Sequence, residues 1–246
     1  SGRIAMKVLL GITGGIAAYK AAELIRGITE KGHDVRVVPT KNALRFIGAT
    51  TLEALSHNVV DPDLYTDVES VKHIELAQWA DVFLIAPATA SFLARTATGI
   101  ADDLLGNLVL ATKARVVVAP AMHTEMWQNA ATVRNVATLR ASGIEVIEPA
   151  VGRLTGADSG VGRLPEPQDI IDFVFQGPRL AGTRFVVTAG GTREPIDPVR
   201  FIGNYSSGKQ GIAIAQAAAQ AGADVTLIAA NIDSTPSGLK TIRVET

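Results

Sequence analysis

Residues 7–25 constrain the fold of this chain more than any other stretch. Lys7-Val8-Leu9-Leu10 is a short, mostly apolar run, as in a buried parallel strand. Gly11, Thr13, Gly14 and Gly15 follow at once. Ile16, Ala17, Tyr19, Ala21, Leu24 and Ile25 then recur at helical spacing. Strand, glycine turn and helix form the unit that turns backbone N–H groups and a helix N-terminus toward a phosphate. The same glycines also suit a plain tight connection. The Walker spacing G-x-x-x-x-G-K-[ST] is absent, and in place of G-x-G-x-x-G the run reads G-x-x-G-G. A NAD site also wants an acidic residue after the second strand. Here Val35–Val38 runs into Pro39-Thr40-Lys41-Asn42, whose hydroxyl, cation and amide suit a phosphate better than a ribose diol.

The pattern repeats along the chain. Apolar runs at 34–38, 82–86, 116–119 and 145–147 alternate with helical spacing at 17–31, 42–56, 90–97, 103–112 and 129–142. A short helix opens at Val71, and another spans 167–175. Strands alternating with helices predict an α/β fold with a doubly wound, parallel, Rossmann-like sheet. With 47% apolar and 19% charged residues, the chain can fill such a core. Its net charge of −1 gives no electrostatic case for nucleic acid or an anionic membrane. Without cysteine there is no disulfide, thiolate metal site or thiol nucleophile. No apolar run is long enough to span a bilayer and no signal-peptide pattern precedes Met6, so a cytoplasmic location is expected.

Residues 149–165 break the alternation. They hold four glycines, Arg153 and Arg163, and no period, and read as a lid that closes on an anionic ligand. Residues 177–183 read as a linker between a domain at 1–176 and a second Rossmann-like unit at 184–246. In that unit Phe185–Ala189 and Val225–Ile228 are strands, and Ser206-Ser207-Gly208 caps a helix over 209–221. Two strands are too few for an independent sheet, so this part reads as truncated.

Ligands of open α/β sheets bind beyond the carboxyl ends of the strands. The segments leaving strands one to four are Gly11–Gly15, Pro39–Asn42, Pro87–Ser91 and Pro120–Trp127, and they are expected to meet in one crevice. Thr13, Thr40, Thr89 and Ser91 bring hydroxyls. Met122, Met126 and Trp127 suit either a flat, polarizable wall or ordinary core packing. Of four histidines, His33 and His57 read as solvated loop residues. His123 lies in the exit loop of strand four, and spacing alone leaves His73 open to a structural or a catalytic role. No histidine pair has the i, i+4 spacing of a zinc helix, so no metal site is expected.

Five motifs stand in order: Gly14-Gly15-Ile16-Ala17-Ala18-Tyr19-Lys20, His73-Ile74, Pro87-Ala88-Thr89-Ala90, Gly99-Ile100-Ala101-Asp102-Asp103-Leu104-Leu105, and Pro120-Ala121-Met122-His123-Thr124-Glu125-Met126-Trp127. The chain thereby resembles the flavin-dependent cysteine decarboxylases. With Thr188–Arg200 and Asn204–Lys209 it resembles the bifunctional decarboxylase–ligase family of coenzyme A biosynthesis. The resemblance implies FMN in the crevice, held by Gly11, Thr13, Gly14, Gly15, Thr40, Pro87, Ala88, Thr89, Ser91, Ala119 and Met122. It implies 4′-phosphopantothenoyl-cysteine as substrate, and 4′-phosphopantetheine and CO₂ as products. The flavin would oxidise the thiol-bearing carbon to a thioaldehyde, giving the carboxylate an electron sink, and would return the electrons afterwards. His73 matches the catalytic histidine. Met122, His123, Met126, Asp158 and Arg163 would meet the substrate.

Two positions depart from the family. His123 stands where the family has Asn. Thr155-Gly156-Ala157-Asp158 stands where it has Ala-Cys-Gly-Asp, so the cysteine that donates the last proton is missing. Another lid residue or water would then donate, or the reaction would stop at the enethiol. In the second unit Gly190, Asn204, Ser206, Ser207 and Gly208 match the ligase, whose complete domain uses CTP and Mg²⁺. The resemblance further implies trimers, built into dodecamers in the full protein. Rival readings are an FMN prenyltransferase-like enzyme, which lacks the His73 motif, and a non-catalytic flavin-binding regulatory protein.

Overall fold

The computed structural model describes residues 5–60, 70–153, 159–176, 180, 182–232, 234–236 and 238–245. They fall into two compact units, one up to Phe175 and one from Gln176 onward. In the first, β1 (Lys7–Ile12) turns through Gly15 into a 3-10 turn, Ile16–Lys20, that runs straight into α1 (Ala21–Glu30). Then come β2 (Asp34–Pro39), α2 (Ala49–Ser56), α3 (Ser70–Trp79), β3 (Val82–Ala88), α4 (Ala90–Thr98), α5 (Leu104–Ala111) and β4 (Arg115–Pro120). The unit continues through α6 (Thr124–Gln128), α7 (Ala130–Ala141), β5 (Glu145–Val146), β6 (Ala150–Arg153), β7 (Ser159–Arg163) and α8 (Pro167–Gln176).

Strands β1 to β5 form one parallel sheet in the order β2-β1-β3-β4-β5. The strand period of two explains the layers. Val8, Leu10 and Ile12 point to one face, against Leu24, Ile25 and Ile28 of α1 and Ile170, Ile171 and Val174 of α8. Leu9, Phe83, Ile85 and Val118 point to the other, against Phe92 and Leu93 of α4, Leu105 and Leu108 of α5, and Leu139 of α7. Each such fully buried side chain contributes roughly 1.5–3 kcal/mol, so the central strands carry apolar residues on both faces. The helices begin where their caps say. The Thr89 hydroxyl accepts from the Phe92 N–H at 3.3 Å, and the Asp103 carboxylate accepts from the Gly106 N–H at 2.7 Å.

The order 2-1-3-4-5 reverses direction between β1 and β3, since the chain runs outward from β1 to β2 and then crosses back. This is where the carboxyl ends of an open sheet leave a crevice. The doubly wound sheet expected from the sequence is thus the observed one.

Four local expectations need correction. Residues 150–163 are not a structureless loop: β6 and β7 pair antiparallel as a ribbon, while its tip, 154–158, lies outside the described residues. His33 is not a solvated loop residue but is buried, at 6% exposure. Its Nδ1 accepts from the Met6 N–H at 3.1 Å, and its ring stacks on Phe175 at 4.0 Å. Trp127, left open between a ligand wall and core packing, is 5% exposed and packs into the second core with Phe92 and Val136. In the second unit β8 (Arg184–Gly190), β11 (Asp224–Ala230) and β12 (Lys240–Val244) make a three-stranded parallel sheet, one strand more than expected. Between them lie a small ribbon, β9 (Arg193–Pro195) with β10 (Phe201–Gly203), and α9 (Lys209–Gln220). The N-cap of α9 is Gly208, with no serine side chain capping it.

Candidate active site at the mouth of the first sheet

The mouth is stitched together by one hydroxyl. Thr13, 2% exposed, donates from Oγ1 to the Pro87 carbonyl at 2.7 Å and accepts from the Thr89 N–H at 3.0 Å. Its own N–H reaches the same Pro87 carbonyl at 3.2 Å. The exits of β1 and β3 are therefore held as one piece. The exit of β4 joins them through the Ala121 N–H on the Ala88 carbonyl at 3.1 Å. The Met122 N–H donates to the Gly162 carbonyl at 2.9 Å, which docks the ribbon strand β7 on the same rim.

These four segments enclose a cavity of about 460 Å³, in the usual range for a small-molecule site. Gly15, Ile16, Ala17, Tyr19 and Lys20 form one side. Pro87, Thr89 and Ala90 come from the β3 exit, and Ala121, Met122, His123 and Met126 from the β4 exit. Gly162, Arg163 and Leu164 close it from the ribbon. The wall is mostly apolar, and the ionisable side chains among its described residues are Tyr19, Lys20, His123 and Arg163, with no carboxylate. Lys20, with an 8% exposed side chain, pairs with Glu166 at 3.1 Å, and Arg163 pairs with the same carboxylate. The Lys20 hydrogen bond, reinforced by the Lys20 and Arg163 charges, holds the Glu166 carboxyl below the usual carboxylate range.

The glycine turn fits a phosphate. A Cβ on Gly14 would lie 2.4 Å from the Asn42 Cβ and 2.9 Å from its backbone carbon, so only glycine lets the turn close over Asn42. Among the described residues the N–H groups of Gly14 and Gly15 have no hydrogen-bond acceptor. They precede a continuous helical stretch from Ile16 to Glu30, whose first amides are free by geometry. Open amides at one end, and Ile16, Met122 and Met126 as apolar plates, fit a phosphate-bearing planar cofactor such as FMN. Among the described residues no group of three His, Asp or Glu side chains could hold a metal ion.

The residues singled out from the sequence are placed unevenly. Gly15, Pro87, Thr89, Met122, His123, Met126 and Arg163 come together on the cavity wall. Gly11, Ala88 and Ala119 are buried in the sheet behind it. Thr13 is committed to its two backbone partners, and Gly14 backs the turn. Thr40 caps the short turn at Ala43, accepting from its N–H at 3.2 Å, and does not line the cavity. Ser91 is exposed on the first turn of α4. His73 falls in the first turn of α3. A helix that feeds a parallel strand starts at the carboxyl end of the sheet, so its backbone stands at the level of the mouth. The His73 side chain and Asp158 lie outside the described residues.

Sequence reasoning missed Lys20 and Tyr19. A signal for Lys20 was present: it sits four residues before Leu24, on the buried stripe of the helix, where a cation demands a carboxylate partner.

The flavoprotein family matches residues 3–177. The chain belongs to that family. Residues 180–246 of this flavoprotein match the C-terminal domain of DNA/pantothenate metabolism flavoproteins. The coenzyme A biosynthesis bifunctional protein CoaBC of Mycobacterium tuberculosis strain H37Rv is 56% identical over 252 residues, covering 98% of this chain and 60% of the relative. The Vibrio cholerae protein of the same name is 48% identical over 245 residues, covering 97% of this chain and 61% of the relative. The flavoprotein thus spans about 60% of the length of the curated relatives it matches.

Solved structures agree with the fold. A PPC decarboxylase mutant complexed with pantothenoylaminoethenethiol is 36% identical with a TM-score of 0.64, covering 70% of this chain and 97% of that one. The FMN binding protein AtHal3 is 34% identical with a TM-score of 0.62, covering 70% and 98%.

Proposed function

We propose that the first unit binds FMN in the cavity at the β1/β3 mouth and decarboxylates 4′-phosphopantothenoyl-cysteine to 4′-phosphopantetheine in coenzyme A biosynthesis. The observation that carries this reading is the cavity itself. It combines open amides at a helix start, an apolar wall and two cations at the switch point of a sheet ordered 2-1-3-4-5. The names of the relatives and of the solved structures support it.

Bound FMN would supply reversible two-electron chemistry at the substrate's thiol-bearing carbon. The protein's part is position and protons. The Gly14 and Gly15 amides take the cofactor phosphate, and Thr13 keeps the β1 and β3 exits at fixed separation around it. Met122 and Met126 exclude water from the plane where the rings would meet. His73 takes and returns the thiol proton. His123, at the N-cap of α6, offers a ring N–H to the substrate carboxylate. The ribbon brings Arg163 over the opening.

The second unit is proposed to belong to the CTP- and Mg²⁺-dependent ligase half of the parent activity. Its own cavity, about 680 Å³, is lined by Gly190, Tyr205, Ser206, Ser207 and Gly208, with Asn204 exposed outside the lining. A trimer-based homo-oligomer in the cytoplasm fits the exposed Ile16, Tyr19 and Met126 at the cavity rim. No helix among the described residues is long and apolar enough to cross a membrane. The direct test is to incubate the FMN-loaded chain with carboxyl-labelled 4′-phosphopantothenoyl-cysteine and count released CO₂. Turnover is expected. A flavin-loaded chain that binds the substrate and releases no CO₂ would instead support a regulatory flavin-binding role.

A further inference from the structure

Glu166 is outside the cavity wall, yet it holds both of the wall's cations. Its Oε2 accepts from Lys20 Nζ at 3.1 Å, and its Oε1 accepts from Arg163 Nη2. Among the described residues it is the only acidic partner of either. A buried ammonium is tolerated only against a paired anion, so the Lys20–Glu166 pair is fixed. Arg163 is anchored on its other side by the ribbon. A Cβ on Gly152, across the strand pair, would sit 3.3 Å from Arg163 Nη1 and 3.5 Å from its Cδ. The bare backbone of β6 is what lets the Arg163 side chain lie down there.

Two positive charges against one negative leave a net positive charge on this part of the wall, whose described lining residues include no carboxylate. One carboxylate also leaves spare donors, since an ammonium has three N–H groups and a guanidinium five. Charge-assisted bonds from such donors to an oxyanion are roughly twice as strong as neutral ones.

We infer that Lys20 and Arg163 form a subsite for an oxyanion of the substrate and that Glu166 is the residue that positions it. This rests on the decarboxylase reading of the same cavity. The proposed substrate carries a phosphate monoester and a carboxylate, and its product keeps only the phosphate. Either group has the required chemistry, and the test tells them apart.

FMN-loaded wild type and Glu166→Gln are compared by calorimetric titration with 4′-phosphopantetheine and by KM for the full substrate. Loss of positioning weakens a charge-assisted contact, worth roughly tenfold in affinity. If the subsite takes the phosphate, both the product Kd and the substrate KM rise by that factor. If it takes the carboxylate, KM rises while the product Kd holds. In both cases bound FMN is unchanged and Glu166→Asp recovers most of the loss. Product Kd and KM both within about twofold of wild type, or tighter, overturn the inference, because Glu166 would then only neutralise its neighbours. Should Glu166→Gln fail to fold with Lys20 unpaired, Lys20→Met/Glu166→Gln removes both charges, and the same loss or its absence decides. A wild type that neither binds the product nor releases CO₂ is a failure of the decarboxylase reading instead, visible before any variant is made.

Discussion

Thr13→Val removes one oxygen from the mouth of the sheet and nearly nothing else. Valine keeps the shape and the β-branch one residue beyond the end of β1, and puts a methyl where the hydroxyl made its hydrogen bonds. Two hydrogen bonds go: Oγ1 to the Pro87 carbonyl at 2.7 Å, and the Thr89 N–H to Oγ1 at 3.0 Å. The Pro87 carbonyl keeps the Thr13 N–H at 3.2 Å, so its loss is the net value of one bond, about 1 kcal/mol. The Thr89 N–H is left without an acceptor in a partly buried site, about 1–2 kcal/mol more. The expected total is about 2–3 kcal/mol, a large fraction of the roughly 5–15 kcal/mol that holds a typical domain. Urea unfolding of the FMN-free chain, followed by tryptophan fluorescence, measures it in the right place, because both tryptophans, Trp79 and Trp127, lie in the first unit. FMN affinity should fall with stability, since Gly15 and Thr89 would no longer be held as one rim. Thr13→Ser keeps the oxygen and should stay within about 1 kcal/mol of wild type. A Thr13→Val chain less than about 0.5 kcal/mol weaker would refute the strap. Weaker FMN binding at full stability would mean that the hydroxyl touches the cofactor directly, as the sequence alone suggests.

Three further outcomes follow from the same geometry. Gly14→Ala forces a Cβ against Asn42 and should cost about 1–3 kcal/mol, with FMN retention reduced in parallel; an alanine chain as stable and as yellow as wild type would show that the turn is not tight. His73→Asn should keep FMN and lose CO₂ release, measured on the purified holoprotein, and near wild-type turnover would remove His73 from the chemistry. Glu166 has a folded pKa below the ordinary carboxylate range, so its contribution to stability is complete above that range and disappears as pH falls through the lowered pKa. The stability gap between wild type and Glu166→Gln should therefore be constant near neutrality and close in acid; a gap that widens in acid has the wrong sign.

The fold was legible because its signals are local. Lys7–Leu10, Val82–Ala86 and Val116–Ala119 are short apolar runs between helical stretches, as buried parallel strands are, and Gly32 and Gly143 follow the ends of helices. The ribbon β6–β7 was not legible, since Val151 and Val161 are isolated among glycines and its hydrogen bond to the rim, from the Met122 N–H to the Gly162 carbonyl, joins residues far apart in sequence. The site was half legible. Gly15, Thr89, Met122 and His123 lie where strand exits must converge, which topology alone dictates, whereas Arg163 reaches the cavity on the ribbon. Thr13 and Thr40 look like ligand hydroxyls in sequence, but both oxygens are used by backbone N–H groups that only the folded turns bring near. His33 looked solvated because its Lys-Gly-His-Asp turn is polar, whereas its ring is covered by Phe175, which is 142 residues away. Contacts of that separation leave no local trace.

The central claim is that one cavity, at the β1/β3 mouth of the first unit, holds the flavin. A crystal structure of the FMN-loaded chain tests it most directly. The account predicts flavin density against Gly15, Thr89 and Met122, with the phosphate on the Gly14 and Gly15 amides. Flavin bound in the second unit's cavity, or a chain that purifies colourless and takes up no added FMN, would contradict it.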